Sequence, residues 1–190
     1  KKIIIFSGDP CSINSEILFK SIRKIDNSIK KRIFLISNYA LLKKQFEKLK
    51  YSIKLIKVKD MNTKYHGNNL KVIDVNLKFG NPFYLPNKEV SKFVKKSLSL
   101  AHKLALNNNV SGIINCPINK KLLSKSNTGV TEFLASKCEI KKDSEVMLIF
   151  NKALSVSPIT THLDIKKISK KINPKFIETK IMTIQNCFRK

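Results

Sequence analysis

Apolar and polar residues alternate along this chain in blocks whose lengths match strands and helices. Residues 2–7, KIIIFS, form a continuous apolar run that ends at Gly8-Asp9-Pro10, which is typical of a parallel strand buried on both faces. Between residues 88 and 106, apolar side chains recur every three or four positions and predict the clearest helix of the chain. The repeated alternation of the two patterns predicts an α/β protein with a mainly parallel sheet flanked by helices.

The second half of the chain contains shorter segments. The run VSGIIN ends abruptly at Cys116-Pro117 and predicts another strand, and residues 129–137 predict a polar turn followed by a short helix. The runs VMLIF and ALSVSPI predict two further strands joined by a tight turn at residues 151–152. Pro174 separates two predicted helices near the end.

Length and cysteine usage limit the class of protein. The 190 residues suit one domain or one and a fraction, and no apolar run approaches the roughly 18 residues of a membrane span. Four scattered cysteines without paired spacing indicate reduced thiols in a cytoplasmic protein. Cys11 and Cys116 both adjoin prolines at strand ends, and we expect both to be small buried residues.

The net charge of +25 raises the question of a nucleic-acid partner. The positive charge is nearly all lysine and spreads from end to end, with arginine only at positions 23, 32 and 189. Specific readers of nucleic acid favour arginine forks interleaved with aromatic residues. The pattern therefore predicts no specific nucleic-acid partner, and the enrichment in lysine, isoleucine and asparagine indicates compositional drift of the source genome.

Three junctions could carry chemistry, because ligands of parallel sheets bind beyond the carboxyl ends of strands. They are residues 8–10, 116–120 and 160–164. Gly129 and Thr131 open a helix, whose amino-terminal amides either bind an anion or are capped by Thr131 or Thr128. His162 either ligates a divalent metal, caps the following helix or is exposed in the loop. His66 and His102 are not its expected co-ligands, and the chain lacks the Gly-x-Gly-x-x-Gly fingerprint of dinucleotide sites.

Taken in order, four segments resemble the motifs of one family, the 4-hydroxythreonine-4-phosphate dehydrogenases of vitamin B6 biosynthesis. They are GDPCSINSEI, CPINKKLL, GVTEFLA and TTHLDI. The resemblance implies the two-domain α/β fold shared with isocitrate and isopropylmalate dehydrogenases, acting as a homodimer. It implies that Thr131 contacts the substrate phosphate and that His162 is the first of three histidines that bind a divalent metal, namely zinc, magnesium or cobalt.

The activity implied by the resemblance is NAD- or NADP-dependent oxidation of 4-phosphohydroxy-L-threonine, a phosphorylated small molecule, followed by decarboxylation. The chain departs from the family motifs at several positions. Val130 replaces a histidine that contacts substrate, Asp164 replaces a proline, and Ser12, Asn14 and Ser15 replace Gly, Gly and Pro.

The resemblance also predicts that residues 1–190 are the N-terminal part of a two-domain dehydrogenase, with the second part following Lys190. The two other metal histidines and most cofactor contacts would lie there, so we expect the 190-residue chain alone to be inactive. Two alternatives stay open. One is a dehydrogenase of a related phosphorylated hydroxy acid such as phosphothreonate, and the other is a degenerate, non-enzymatic basic binding protein.

Overall fold

A computed structural model of the chain describes residues 1–63, 65, 67–123, 129–138, 144–160 and 163–189. The chain divides into two compact units, Lys1–Leu134 and Ala135–Lys190.

The first unit is built on a five-stranded sheet in which all neighbouring strands are parallel, in the order β3-β4-β2-β1-β5. The strands are β1 Lys2–Phe6, β2 Ile33–Ser37, β3 Leu55–Val58, β4 Leu70–Asp74 and β5 Val110–Asn115. The α/β class with a parallel sheet, predicted from the apolar runs, is confirmed. The strands β1, β2 and β4 lie inside the sheet and are the most apolar, because both of their faces are covered.

Helices cover both faces of this sheet. The helices of the first unit are α1 Asn14–Lys24, α2 Asn27–Lys30, α3 Tyr39–Lys48 and α4 Asn87–Ala105, followed by a 3₁₀ helix Lys120–Leu122 and α5 Val130–Ala135. Residues Leu18 and Ile22 of α1 pack with Leu42 and Phe46 of α3 on one face. The apolar stripe of α4 forms the core of the other face, where its buried side chains are Val90, Phe93, Val94, Ser97, Leu98 and Ala101.

One lysine lies inside the sheet. Lys71 on β4 is 5% exposed, its ammonium lies 4.2 Å from the centre of the Phe34 ring, and it donates to the Lys31 carbonyl oxygen. Burial lowers the pKa of Lys71, and the nearby charge of Lys2 lowers it further. The ring and the carbonyl replace part of the hydration that this ammonium loses.

The second unit contains a small hairpin and two helices. Strands β6, Ile149–Phe150, and β7, Ser155–Val156, pair antiparallel, and the Asn151 side chain accepts hydrogen bonds from the amides of Ala153 and Leu154 in the turn. Helices α6, Ile165–Lys171, and α7, Pro174–Phe188, follow. The turn is where the sequence predicts it, whereas the strands have two residues each instead of the longer runs expected. Their apolar side chains are exposed, so alternation alone did not create a buried face.

The two cysteines beside prolines differ. Cys116 is buried, as predicted, and burial raises the pKa of its thiol to about 11. The prediction for Cys11 is wrong, because this residue is exposed. Its backbone amide donates to the Asp9 carboxylate in a tight turn, and the neighbouring Asn14 takes the buried position instead.

None of the helices in the described ranges is long and apolar enough to cross a membrane.

The buried hydroxyl group of Ser97 gives a test of core packing. Ser97 is 0% exposed and its Oγ has no hydrogen-bond partner in the described part of the chain. Ser97→Ala should therefore raise the free energy of unfolding by about 1 kcal/mol in urea denaturation, since alanine also favours the helix. The matched control on the same helix is Ser91→Ala. It removes a 2.6 Å bond from Ser91 Oγ to the Leu122 carbonyl and should lower the same quantity by about 1 kcal/mol. A lower free energy of unfolding in Ser97→Ala would contradict the finding that the Ser97 hydroxyl has no hydrogen-bond partner among the described residues.

Thiol reactivity gives a second test. At pH 8, only about one Cys116 thiol in a thousand is ionised if its pKa is about 11, and only the thiolate reacts with disulfide reagents. Cys138 and Cys187 are exposed and should react first, Cys11 should follow because burial and Asp9 raise its pKa, and Cys116 should react last. Site-resolved mass spectrometry after timed labelling measures the order. Fast labelling of Cys116 in the folded chain would show that this residue, which follows β5, is not buried in the core cluster.

Candidate functional site

Two of the three predicted junctions meet at one edge of the parallel sheet. Strands β1 and β5 are neighbours, and their last paired residues are Phe6 and Asn115. The loops that follow therefore leave the sheet side by side, and the Asp9 amide donates to the Pro117 carbonyl oxygen at 3.2 Å. The grouping of these junctions, expected from the parallel sheet, holds for residues 8–10 and 116–120.

Gly8 opens the first of these loops in a conformation that requires glycine. Its φ is +75°, in the left-handed region that side chains disfavour. A Cβ there would lie 2.5 Å from the Pro117 carbonyl oxygen and 2.9 Å from that of Cys116. The backbones of the two loops thus approach each other too closely for any other residue.

Buried side-chain amides hold the loops of this edge, and the sequence patterns gave no sign of them. Asn14 donates from Nδ2 to the carbonyl oxygens of Asp9, at 3.1 Å, and Pro117, at 2.7 Å. Gln45 donates from Nε2 to those of Pro10, at 2.8 Å, and Pro82, at 2.7 Å. Each amide joins two separate stretches of chain or fixes a turn.

A third amide, Asn38, works in the same way after β2. Its Nδ2 donates to the Val75 carbonyl oxygen at 2.9 Å, while its Oδ1 accepts from the Leu41 amide at 2.8 Å and caps α3. Asp74, at the end of β4, accepts from the Tyr39 amide at 2.8 Å and pairs with Lys57 at 2.7 Å. An asparagine before a helix is a recognisable sequence signal for a cap. No sequence signal predicts the second hydrogen bond of Asn38, to the Val75 carbonyl oxygen.

Thr131 lies in the first turn of α5, as its position after Gly129 predicts, and its side chain is exposed. Val130 and Phe133, on the same short helix, pack against the core cluster that contains Leu122 and Leu123. The core therefore anchors α5 against the segment that follows β5. The carboxylate of Glu132 lies beside Gly129, where an added Cβ would be 2.6 Å from its Oε2. That Thr131 contacts phosphate stays a prediction.

The metal prediction falls on residues that the structure does not describe. His162 and Thr161 lie outside the described residues, as does His66. Of this junction, Asp164 is described; it caps α6 by accepting from the Lys166 amide at 3.1 Å. Within the described ranges, no three His, Cys, Asp or Glu side chains are grouped to hold a metal ion. The described residues therefore do not fit a metal centre.

The larger cavities lined by described residues lie away from Thr131. One of about 710 Å³ is lined by Lys44, Glu47, Lys48 and residues 80–83. Two others, of about 350 and 310 Å³, lie near the start of β3, the first beside α3 and the second beside α1. A cavity of about 10 Å³ lies at the carboxyl edge, between Asn14 and Gln45. None of the three larger cavities includes Thr131 or the loop of residues 116–120.

Comparison with known proteins identifies relatives of the chain. Curated 4-hydroxythreonine-4-phosphate dehydrogenases of Sulfurihydrogenibium sp. (strain YO3AOP1) and Aquifex aeolicus (strain VF5) are 30% and 29% identical to it. Each alignment covers 99% of this chain and 58% of the relative. The chain thus spans a little over half the length of the curated relatives it matches.

Solved structures share its fold. A crystal structure of 4-hydroxythreonine-4-phosphate dehydrogenase from Klebsiella pneumoniae matches with a TM-score of 0.83 at 24% identity, over 100% of this chain and 59% of that one. A terephthalate 1,2-cis-dihydrodiol dehydrogenase from Burkholderia xenovorans LB400 matches with a TM-score of 0.62 at 18% identity, over 93% and 53% of the two chains.

The family model described as "Pyridoxal phosphate biosynthetic protein PdxA" matches residues 29–190, which is most of the chain. The relatives, the shared fold and this match agree with the order of the four sequence motifs. The chain belongs to the PdxA family.

Proposed function

We propose that this chain takes part in the NAD- or NADP-dependent, metal-assisted oxidation and decarboxylation of 4-phosphohydroxy-L-threonine in pyridoxine 5'-phosphate biosynthesis. The observation that carries the proposal is the family match over residues 29–190, together with relatives bearing that enzyme name. The working form would be a cytoplasmic homodimer of a two-domain dehydrogenase. This chain would supply the N-terminal part of that fold.

The role proposed for this chain is to hold the substrate phosphate at α5. Thr131 offers a hydroxyl donor in the first turn of α5. The first amides of a helix have no partner within the helix and carry a partial positive charge. Gly129 places no side chain in front of them. Glu132 opposes an anion at the same turn, and Val130 offers no hydrogen bond of its own. We therefore expect weak phosphate binding.

Metal and cofactor chemistry would come from other residues. The family resemblance assigns one metal ligand here, His162, and three protein ligands are the usual minimum around a catalytic ion with an open position. No such set exists in the described ranges. Hydride transfer and loss of carbon dioxide would require metal and cofactor contacts beyond those that the described ranges contain.

Binding at α5 can be tested directly. Titration of 4-phosphohydroxy-L-threonine into the isotope-labelled 190-residue chain should shift the amide resonances of residues 129–133. Thr131→Val keeps the shape but removes the hydroxyl, and should weaken binding roughly tenfold, which corresponds to about 1.4 kcal/mol. Thr179→Val is the matched control, because the Thr179 hydroxyl donates to the Lys175 carbonyl oxygen within α7. Equal affinity in all three chains would contradict the role of Thr131.

Turnover gives the complementary test. The 190-residue chain should reduce neither NAD nor NADP with this substrate, with zinc, magnesium or cobalt added, because one imidazole cannot replace three ligands. Val130→His should not restore activity, since it repairs a substrate contact and leaves the metal set incomplete. The Aquifex aeolicus relative, which is longer, serves as the positive control in the same spectrophotometric assay. Clear turnover by either form of the short chain would place the missing ligands within it.

A further inference from the structure

The switch point of the parallel sheet, where the connections of two neighbouring strands lead to opposite sides, lies between β1 and β5. The chain leaves β1 toward α1, whose Leu18 and Ile22 pack on one face of the sheet. It leaves β5 toward the opposite face, where Leu122 and Leu123 join the cluster beneath α4. Two neighbouring parallel strands whose connections diverge in this way leave a crevice between their carboxyl ends, and doubly wound proteins commonly bind ligands in it.

In this chain, a protein side chain already fills that crevice. Asn14, the first residue of α1, is 2% exposed, and its Nδ2 bonds both Asp9 and Pro117 carbonyl oxygens across the gap. A Cβ added at Gly8 would lie 2.4 Å from the same nitrogen. The space between the two loops is therefore no wider than one carboxamide group.

The other end of this carboxamide is poorly satisfied. Asn14 Oδ1 is buried and has no hydrogen-bond partner among the described residues. The adjoining cavity of about 10 Å³, which Ser37 and Gln45 also line, has room for about one water molecule. Because Asn14 Oδ1 has no partner among the described residues, the two hydrogen bonds that Nδ2 donates are the ones that fix the position of this side-chain amide.

We propose that Asn14 is a positioning residue that latches the Pro117–Lys120 loop to the Gly8–Cys11 loop and closes the crevice between β1 and β5. The latch fixes the point at which the loop turns into the 3₁₀ helix. Asn119 caps that helix, because its side chain accepts from the Lys121 amide at 3.1 Å. A ligand at this edge cannot enter the space between the two loops while the Asn14 carboxamide fills it. The inference rests on the hydrogen bonds and holds whether or not the proposed enzymatic function is correct.

The test removes the donor and keeps the shape. Asn14→Asp in the full 190-residue chain loses both Nδ2 bonds at neutral pH, so the Asp9 amide, which also donates to Pro117, should exchange its hydrogen about tenfold faster than in the unaltered chain. The Cys116 amide, which donates to the Phe6 carbonyl oxygen at 2.9 Å, should keep its rate as an internal reference. Asn38→Asp is the matched control. It removes the donor to Val75 and should leave the Asp9 amide unchanged.

Dependence on pH separates positioning from general loosening. At about pH 4 a carboxyl group is partly protonated and can donate one hydrogen bond, so Asn14→Asp should recover part of the protection at Asp9. Each rate is compared with that of the unaltered chain at the same pH, so that other effects of pH on exchange at the Asp9 amide cancel. If Asn14→Asp does not fold, Asn14→Gly should give the faster exchange without recovery at low pH. Unchanged exchange at Asp9 in the folded variants, or equal loosening by Asn38→Asp, would overturn the proposal.

Discussion

Hydrogen bonds from three buried carboxamides, those of Asn14, Asn38 and Gln45, hold together the loops at the carboxyl edge of the parallel sheet. Three of the carbonyl groups they serve belong to Pro10, Pro82 and Pro117. Proline lacks an amide hydrogen, so loops rich in it cannot pair their backbones in the usual way. An asparagine or glutamine amide carries two donors on one nitrogen and can serve two such carbonyls at once. Without such a donor, the buried carbonyl groups of Pro10 and Pro82 would each cost about 1–3 kcal/mol.

Charge has a smaller structural role than the composition suggests. The described ranges contain four ion pairs, all on partly or fully exposed side chains, against a net charge of +25. Exposed pairs of this kind contribute little to stability. The lysines that matter for packing contact rings instead, as Lys71 does with Phe34. Their stems add apolar surface while their charge stays uncompensated, which leaves self-repulsion as a general cost of this composition.

The sequence predicted the parallel sheet from apolar runs in strands whose two faces are both covered, and α4 from a long apolar stripe on one face of the helix. It predicted the turn into α5 from Gly129. It could not predict the roles of Asn14 and Gln45, because a single polar residue in an amphipathic helix looks the same whether it faces solvent or a neighbouring loop. The prediction that Cys11 is buried was wrong for a related reason. In a loop, a shift of one residue exchanges a buried position for an exposed one. The apolar runs around β6 and β7 predicted longer strands, but each strand has two residues and their apolar side chains are exposed. An apolar pattern does not show whether another part of the chain covers it.

The crowding around Gly8 makes it unlike the other glycines of a chain that has only five. Added side-chain atoms at Gly80 and Gly112 would meet nothing within 4 Å, and at Gly67 and Gly129 they would meet movable side chains. At Gly8 they would strike two backbone carbonyls. At the other four positions a side chain would enter open space or require only that a neighbouring side chain move. Any other residue at Gly8 would force apart the backbones of the loops that follow β1 and β5, so Gly8 is the glycine of this chain that backbone packing itself requires.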